Sequence, residues 1–152
     1  MRFPWNPVLA AVIAASISAC GGGAEPPAAE DPAAPAAATL PVQEPTGEID
    51  EELAEAGEEL FAAKGCIACH TLGGGRLTGP DLAGVTGRRT FPWIYHQIVA
   101  PDSMTMHDPT ARQLMAEYMT QMPDLGVQPE EALALYEYLR EEDTESGTEE
   151  DE

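Results

Sequence analysis

The chain has 152 residues, 43% of them apolar, and a formal charge of −20 from 27 acids against seven Lys and Arg. That length allows one ordinary domain with appendages, and that charge excludes electrostatic attraction to nucleic acid. Three cysteines cannot all pair within one disulfide framework, so at least one must serve another purpose.

Arg2 is the sole charge before Glu25, and Val8 to Ile17 form a short apolar run that ends in Ser18-Ala19-Cys20. A lone positive charge, a brief apolar run and small residues make a secretory signal peptide over residues 1–19. The run is too short for a spanning helix, which needs about 20 apolar residues. Ile17-Ser18-Ala19-Cys20 resembles the bacterial lipobox, whose cysteine is lipidated and becomes the mature N-terminus. Lipidation of Cys20 would hold an exported protein on the periplasmic side of a membrane without crossing it. Ordinary cleavage leaving an incidental thiol is the alternative.

Residues 20–47 are rich in Gly, Ala, Pro, Glu and Thr, with Leu40 and Val42 as the large apolar side chains. Such a composition cannot offset its ordering entropy, which predicts a flexible linker spanning roughly 30 Å as a coil. The linker would let a domain at residues 48–142 swing between partners, or act as a passive spacer. Acids crowd both edges of that domain, seven from Glu48 to Glu59 and eight from Glu141 to Glu152, and residues 143–152 read as an acidic disordered tail. The charge would steer the protein to a partner with a basic docking face, or merely keep its surface solvated.

Leu53, Gly57, Leu60 and Phe61 share one helical face, as do Ala132, Leu135, Tyr136 and Leu139. Two amphipathic helices meeting at the ends of the domain would close its core. Between them, Cys66-Ile67-Ala68-Cys69-His70 has the spacing of a c-type haem attachment site. Two thiols on one turn reach the two vinyl groups, and the next residue sets an imidazole against the iron. A thioredoxin-like pair would sit on a βαβ pattern and a zinc site would need a second ligand pair; the sequence has neither.

The second axial ligand must come from far along the chain, and Met104, Met106, Met115, Met119, Met122, His96 and His107 are the candidates. Met122 is favoured, because Pro123 and Asp124-Leu125-Gly126 keep it on an irregular loop between helical patterns. Met115 and Met119 align with Leu114 and Tyr118 on a stripe that reads as core. His/Met ligation raises the potential and leaves no open position, which suits electron transfer. Asp108-Pro109 and Pro129 read as helix starts.

From about Glu48 to Glu142 these motifs resemble the class I cytochromes c. The resemblance implies an all-α fold of about four to five helices around one covalent haem c. Gly57-Glu58-Glu59-Leu60-Phe61 would be the N-terminal helix crossing Leu135 to Leu139, with Tyr138 at the contact. In Thr78-Gly79-Pro80-Asp81-Leu82 the Pro80 carbonyl would accept a hydrogen bond from His70, and Leu82 would pack on the haem edge. Arg88, Arg89 and Trp93 fall where the family places groups near the haem propionates.

The same resemblance implies an electron carrier and not an enzyme, with redox proteins as partners and no small-molecule substrate. The two loop sequences are most similar to small cytochromes of bacterial respiratory chains, including those that accompany nitrous oxide reductase or a terminal oxidase. A shuttle from a quinol-oxidising complex to such an acceptor is expected. A fixed haem subunit of a larger complex, or a haem peroxidase or ligand sensor, are the alternatives. The lysine ring of mitochondrial cytochrome c is missing, Lys64 being the single lysine, so the partner would supply the positive charge.

Overall fold

Asp50 starts the first helix: its Oδ1 accepts the Leu53 amide at 3.2 Å and so satisfies one of the donors that a helix leaves unpaired. Helix α1 spans Glu51–Ala63, with Glu51 and Glu52 at the positive end of its dipole. Gly65, left-handed at φ 80°, then turns the chain into a single 3-10 turn at Cys66–Ala68. The computed structural model describes residues 42–148. The signal peptide, Cys20, most of the linker and the last four residues lie outside the described residues.

Five more helices follow: α2 (Val85–Arg88), α3 (Phe91–Val99), α4 (Pro101–His107), α5 (Pro109–Tyr118) and α6 (Pro129–Thr148). The described residues are thus all helical, as expected, with six α-helices in place of four to five. The excess comes from the one-turn α2 and from a break at Ala100, whose backbone (φ −147°, ψ 55°) leaves the helical region where Pro101 starts α4. Asp108 caps α5 as its sequence predicts. The same oxygen, Oδ1, accepts the Ala111 amide at 2.8 Å and the Trp93 indole N–H at 3.2 Å.

The first and last helices pack together closely. Gly57 is buried under α6, where a Cβ would sit 2.7 Å from Tyr138 Cβ and closer still to the Ala134 carbonyl oxygen. Phe61 meets Tyr138 with ring centroids 5.6 Å apart. Helix α6 is more enclosed than its sequence pattern suggests: all six residues from Ala134 to Leu139 are buried. A single apolar stripe was expected. The difference arises because α1 covers one side while α2 and α3 cover the others, with Tyr136 set edge-on against Phe91.

Glu137, 1% exposed, belongs to this enclosed stretch. Arg140 donates to both of its oxygens at 2.9 Å and to the Gly47 carbonyl at 2.6 Å, which supplies the partner a buried charge needs. The helix also runs past Glu142, the expected end of the domain. Asp143, assigned from composition to a disordered tail, accepts the Gly84 amide at 2.5 Å and the Thr86 amide and hydroxyl at 2.8 and 2.6 Å. Those three bonds pin the loop before α2 to the end of α6, so the folded unit includes Asp143.

Burial, with the charges of Glu142 and Glu58 nearby, pushes the Tyr138 phenol from 10 up to about 12. The native state therefore keeps a proton that the unfolded chain releases between these values, and stability must fall with rising pH across that window. Thermal melts from pH 9 to 12 should show this decline, and Tyr138→Phe should flatten it.

Candidate functional site

The segment after α1 places the two thiols on one tight turn. Cys66 sits at its start, the Cys69 and His70 amides both donate to the Cys66 carbonyl, at 3.0 and 2.9 Å, and both cysteines are half-buried with no disulfide between them. Burial is the main cause pushing the Cys66 thiol above its ordinary value. Among the described residues, no three His, Cys, Asp or Glu side chains converge as a metal site.

The His70 ring is oriented by its own loop. Its Nδ1 lies 2.9 Å from the Pro80 carbonyl oxygen. A carbonyl can only accept, so the proton is on Nδ1 and the Nε2 lone pair is left for a metal. Gly79 lets this happen, since a Cβ there would stand 2.7 Å from His70 Cε1 and 3.0 Å from Nδ1. The loop is held in shape by Asp81, whose carboxylate accepts the Gly73, Gly75 and Ala83 amides at 2.8, 2.5 and 3.0 Å. These bonds, the Ala83 amide foremost, hold its carboxyl below the usual range.

Cys66, Cys69, His70, Pro80, Leu82, Arg88, Trp93 and Met122 all border one cleft of about 270 Å³, whose wall is mainly apolar. The structure thus brings these eight residues together. It also separates the rival axial ligands. His107, Met106 and Met119 are exposed, Met104 is in the core, and His96 packs against Tyr95 outside the cleft. Met115 does line the cleft, but it is 37% exposed.

The expectation that Met115 and Met119 are core residues does not hold. Helix α5 stops at Tyr118, and Met119 takes a left-handed conformation (φ 55°) that swings its side chain into solvent, 87% exposed.

Two expected partners of the haem propionates have other commitments. Arg88 donates to the Ala83 and Asp81 carbonyls, and the Trp93 indole N–H goes to Asp108. Arg89 stacks its guanidinium 5.2 Å over the Trp93 ring. All the same, Arg88 and Trp93 form part of the cleft wall.

Gln97, on α3, is the residue that sequence reading missed. Its Nε2 donates toward Met122 Sδ at 3.6 Å, while its Oε1 is buried without a protein partner. An amide oxygen facing the sulfur would be repelled, so only this orientation of the amide is attractive. No local motif announces it, because the contact joins residues on separate elements.

The donor set fits a haem. Paired thiols lie on one turn, an imidazole nitrogen is freed by the bond to its neighbour, a thioether borders the same space, and Leu82, Val85, Ile98 and Leu135 supply apolar wall. Two thioether links and two axial donors would hold the group by four protein atoms.

Residues 54–142 match the Cytochrome c family. Among solved structures, the chain is similar to a cytochrome c from Rhodothermus marinus, with 39% identity and a TM-score of 0.64, covering 68% of this chain and 88% of that one. An engineered form of the Rhodothermus marinus protein bound to a carbene intermediate is 38% identical, with a TM-score of 0.60, covering 67% and 88%. The cytochrome c domain of a Pseudomonas putida protein is 35% identical, with a TM-score of 0.54, covering 60% and 92%. No curated protein matches.

Proposed function

Because the chain belongs to the cytochrome c family and so carries one covalent haem c as a non-enzymatic electron carrier, we propose that it is a membrane-tethered shuttle of a respiratory chain. It would take electrons from a quinol-oxidising complex and give them to a terminal oxidase or nitrous oxide reductase on the periplasmic side. The observation that carries the reading is that His70 and Met122 border the same cleft, so the iron would have a protein donor at both axial positions. Haem c would supply an iron that exchanges one electron, and His70 and Met122 are the residues that would hold that iron against other ligands.

The protein's own residues do the rest. Cys66 and Cys69 would fix the group covalently, Pro80 would set the tautomer and tilt of His70, and Leu82 would shield its edge from water. Gln97, by donating to the Met122 sulfur, would draw density from the thioether and so favour the reduced iron. Cys20, as a lipid anchor, would keep the domain at the membrane while the linker lets it reach donor and acceptor.

The charge favours a partner with a basic face. With 27 acids against seven Lys and Arg, and Lys64 and Arg140 already paired with Glu131 and Glu137 at 2.8 and 2.9 Å, the net charge of −20 is carried by unmatched acids. Electron exchange with a cationic one-electron acceptor should therefore slow as salt rises, with most of the change complete once the screening length falls to about 10 Å near 0.1 M. Stopped-flow rates across ionic strength check this, and a rate that climbs with salt would overturn the basic partner. Fractionation of cells checks the tether: Cys20→Ser should move the protein from membranes to the soluble fraction.

A further inference from the structure

The last carbonyls of a helix lack intrahelical partners and stand at the negative end of its dipole. At the end of α5 a side chain from far along the chain meets that need. Arg76 Nη2 donates to the Glu117 carbonyl at 2.7 Å, its Nη1 lies 3.5 Å from the Glu117 carboxylate, and its guanidinium lies 4.1 Å over the Tyr118 ring. The following residue is Met119, left-handed although it is not glycine, a conformation that costs energy unless its surroundings hold it. Three residues on is Met122, a stretch that reaches about 10 Å at most. A shift at the end of α5 must therefore pass to Met122 with little slack.

Arg76 itself is firmly placed. Its loop is braced by the Asp81 carboxylate and by the Thr71 hydroxyl donating to the Gly75 carbonyl at 2.5 Å, and the same loop carries Pro80, which orients His70. We infer that Arg76 is a positioning residue for Met122, fastening the segment that delivers the sulfur to the loop that orients the imidazole. The two axial ligands are thereby set by one piece of backbone, although they lie on distant parts of the chain. This rests on the reading of Met122 as the iron's ligand.

The test uses the ferric holoprotein titrated with imidazole, which competes with methionine for the iron, while the far-red sulfur-to-iron charge-transfer band is followed. Arg76→Ala should bind imidazole about three- to tenfold more tightly, the effect expected of losing a stacked, half-exposed cation. Its midpoint potential should fall while the haem stays attached. Arg76→Lys should behave much like the alanine variant, because a point charge cannot cap and stack at once. Glu117→Gln keeps the carbonyl and should change the affinity by less than about twofold. An unchanged imidazole affinity in Arg76→Ala overturns the inference, and so does a lower melting temperature with unchanged affinity. If Met122→Ala retains the charge-transfer band, it is the assignment of Met122 that fails.

Discussion

Met122→Ala should keep the haem covalently attached yet lose its low-spin spectrum and its high potential. Attachment depends on Cys66 and Cys69, which stay intact, whereas the Met122 thioether is removed and, among the described residues, the one other methionine bordering the cleft is the partly exposed Met115. Axial ligands set haem potentials over a range of about 0.8 V, so a drop on the order of 0.1–0.3 V is expected. Each 0.1 V corresponds to about 2.3 kcal/mol for one electron. Optical redox titration measures the drop, and the ferrous variant should now bind carbon monoxide readily. Should Met115→Ala produce these changes instead, the ligand is Met115.

Gly57→Ala should cost more stability than any other single methyl added to the domain's helices. The new Cβ would meet the Ala134 carbonyl and the Tyr138 Cβ, both backbone or backbone-proximal atoms that cannot rotate away, so α1 and α6 must move apart. Overpacking of this kind costs about 1–3 kcal/mol, with rigid backbone contacts at the upper end. For a domain of this size, that is a fall in melting temperature of roughly 10–20 °C. Gly87→Ala serves as the control. A Cβ there meets nothing within 4 Å, and the better helix former should leave the domain as stable or slightly more so. Equal melting temperatures for the two variants would mean that the helices are not in close contact at Gly57.

What the sequence made legible was chemistry with a fixed local spacing. Cys66, Cys69 and His70 follow one another on a single turn, and Met122-Pro123 lies between two strong helical patterns, so each could be read without knowing its neighbours. The Gly57 crossing was legible through the family resemblance, with the apolar stripe of Leu53, Gly57, Leu60 and Phe61 in support. Gln97, Arg76 and Asp143 were not, because each acts through a partner on another element and none has a local signature. A glutamine on an amphipathic helix looks like surface, and an aspartate in an acidic run looks like solvated charge. Met119 misled for the opposite reason. Its spacing continues the α5 stripe, but the backbone reverses hand just there, and periodicity cannot register a single dihedral.

The contact between α1 and α6 also joins two helices that stand at opposite ends of the domain, with the attachment turn beside the first. Both thiols and His70 follow directly on α1, while the helix that completes the cleft, with the Asp143 pin, lies far along the chain. Gly57 and Phe61 find their partners on α6, whereas the attachment turn is closed by its own backbone bonds. Closing so long a loop is slow but adds little free energy compared with a shorter one. Haem attachment thus needs one local turn, whereas closure of the domain needs the whole chain between α1 and α6, two requirements that can be met separately.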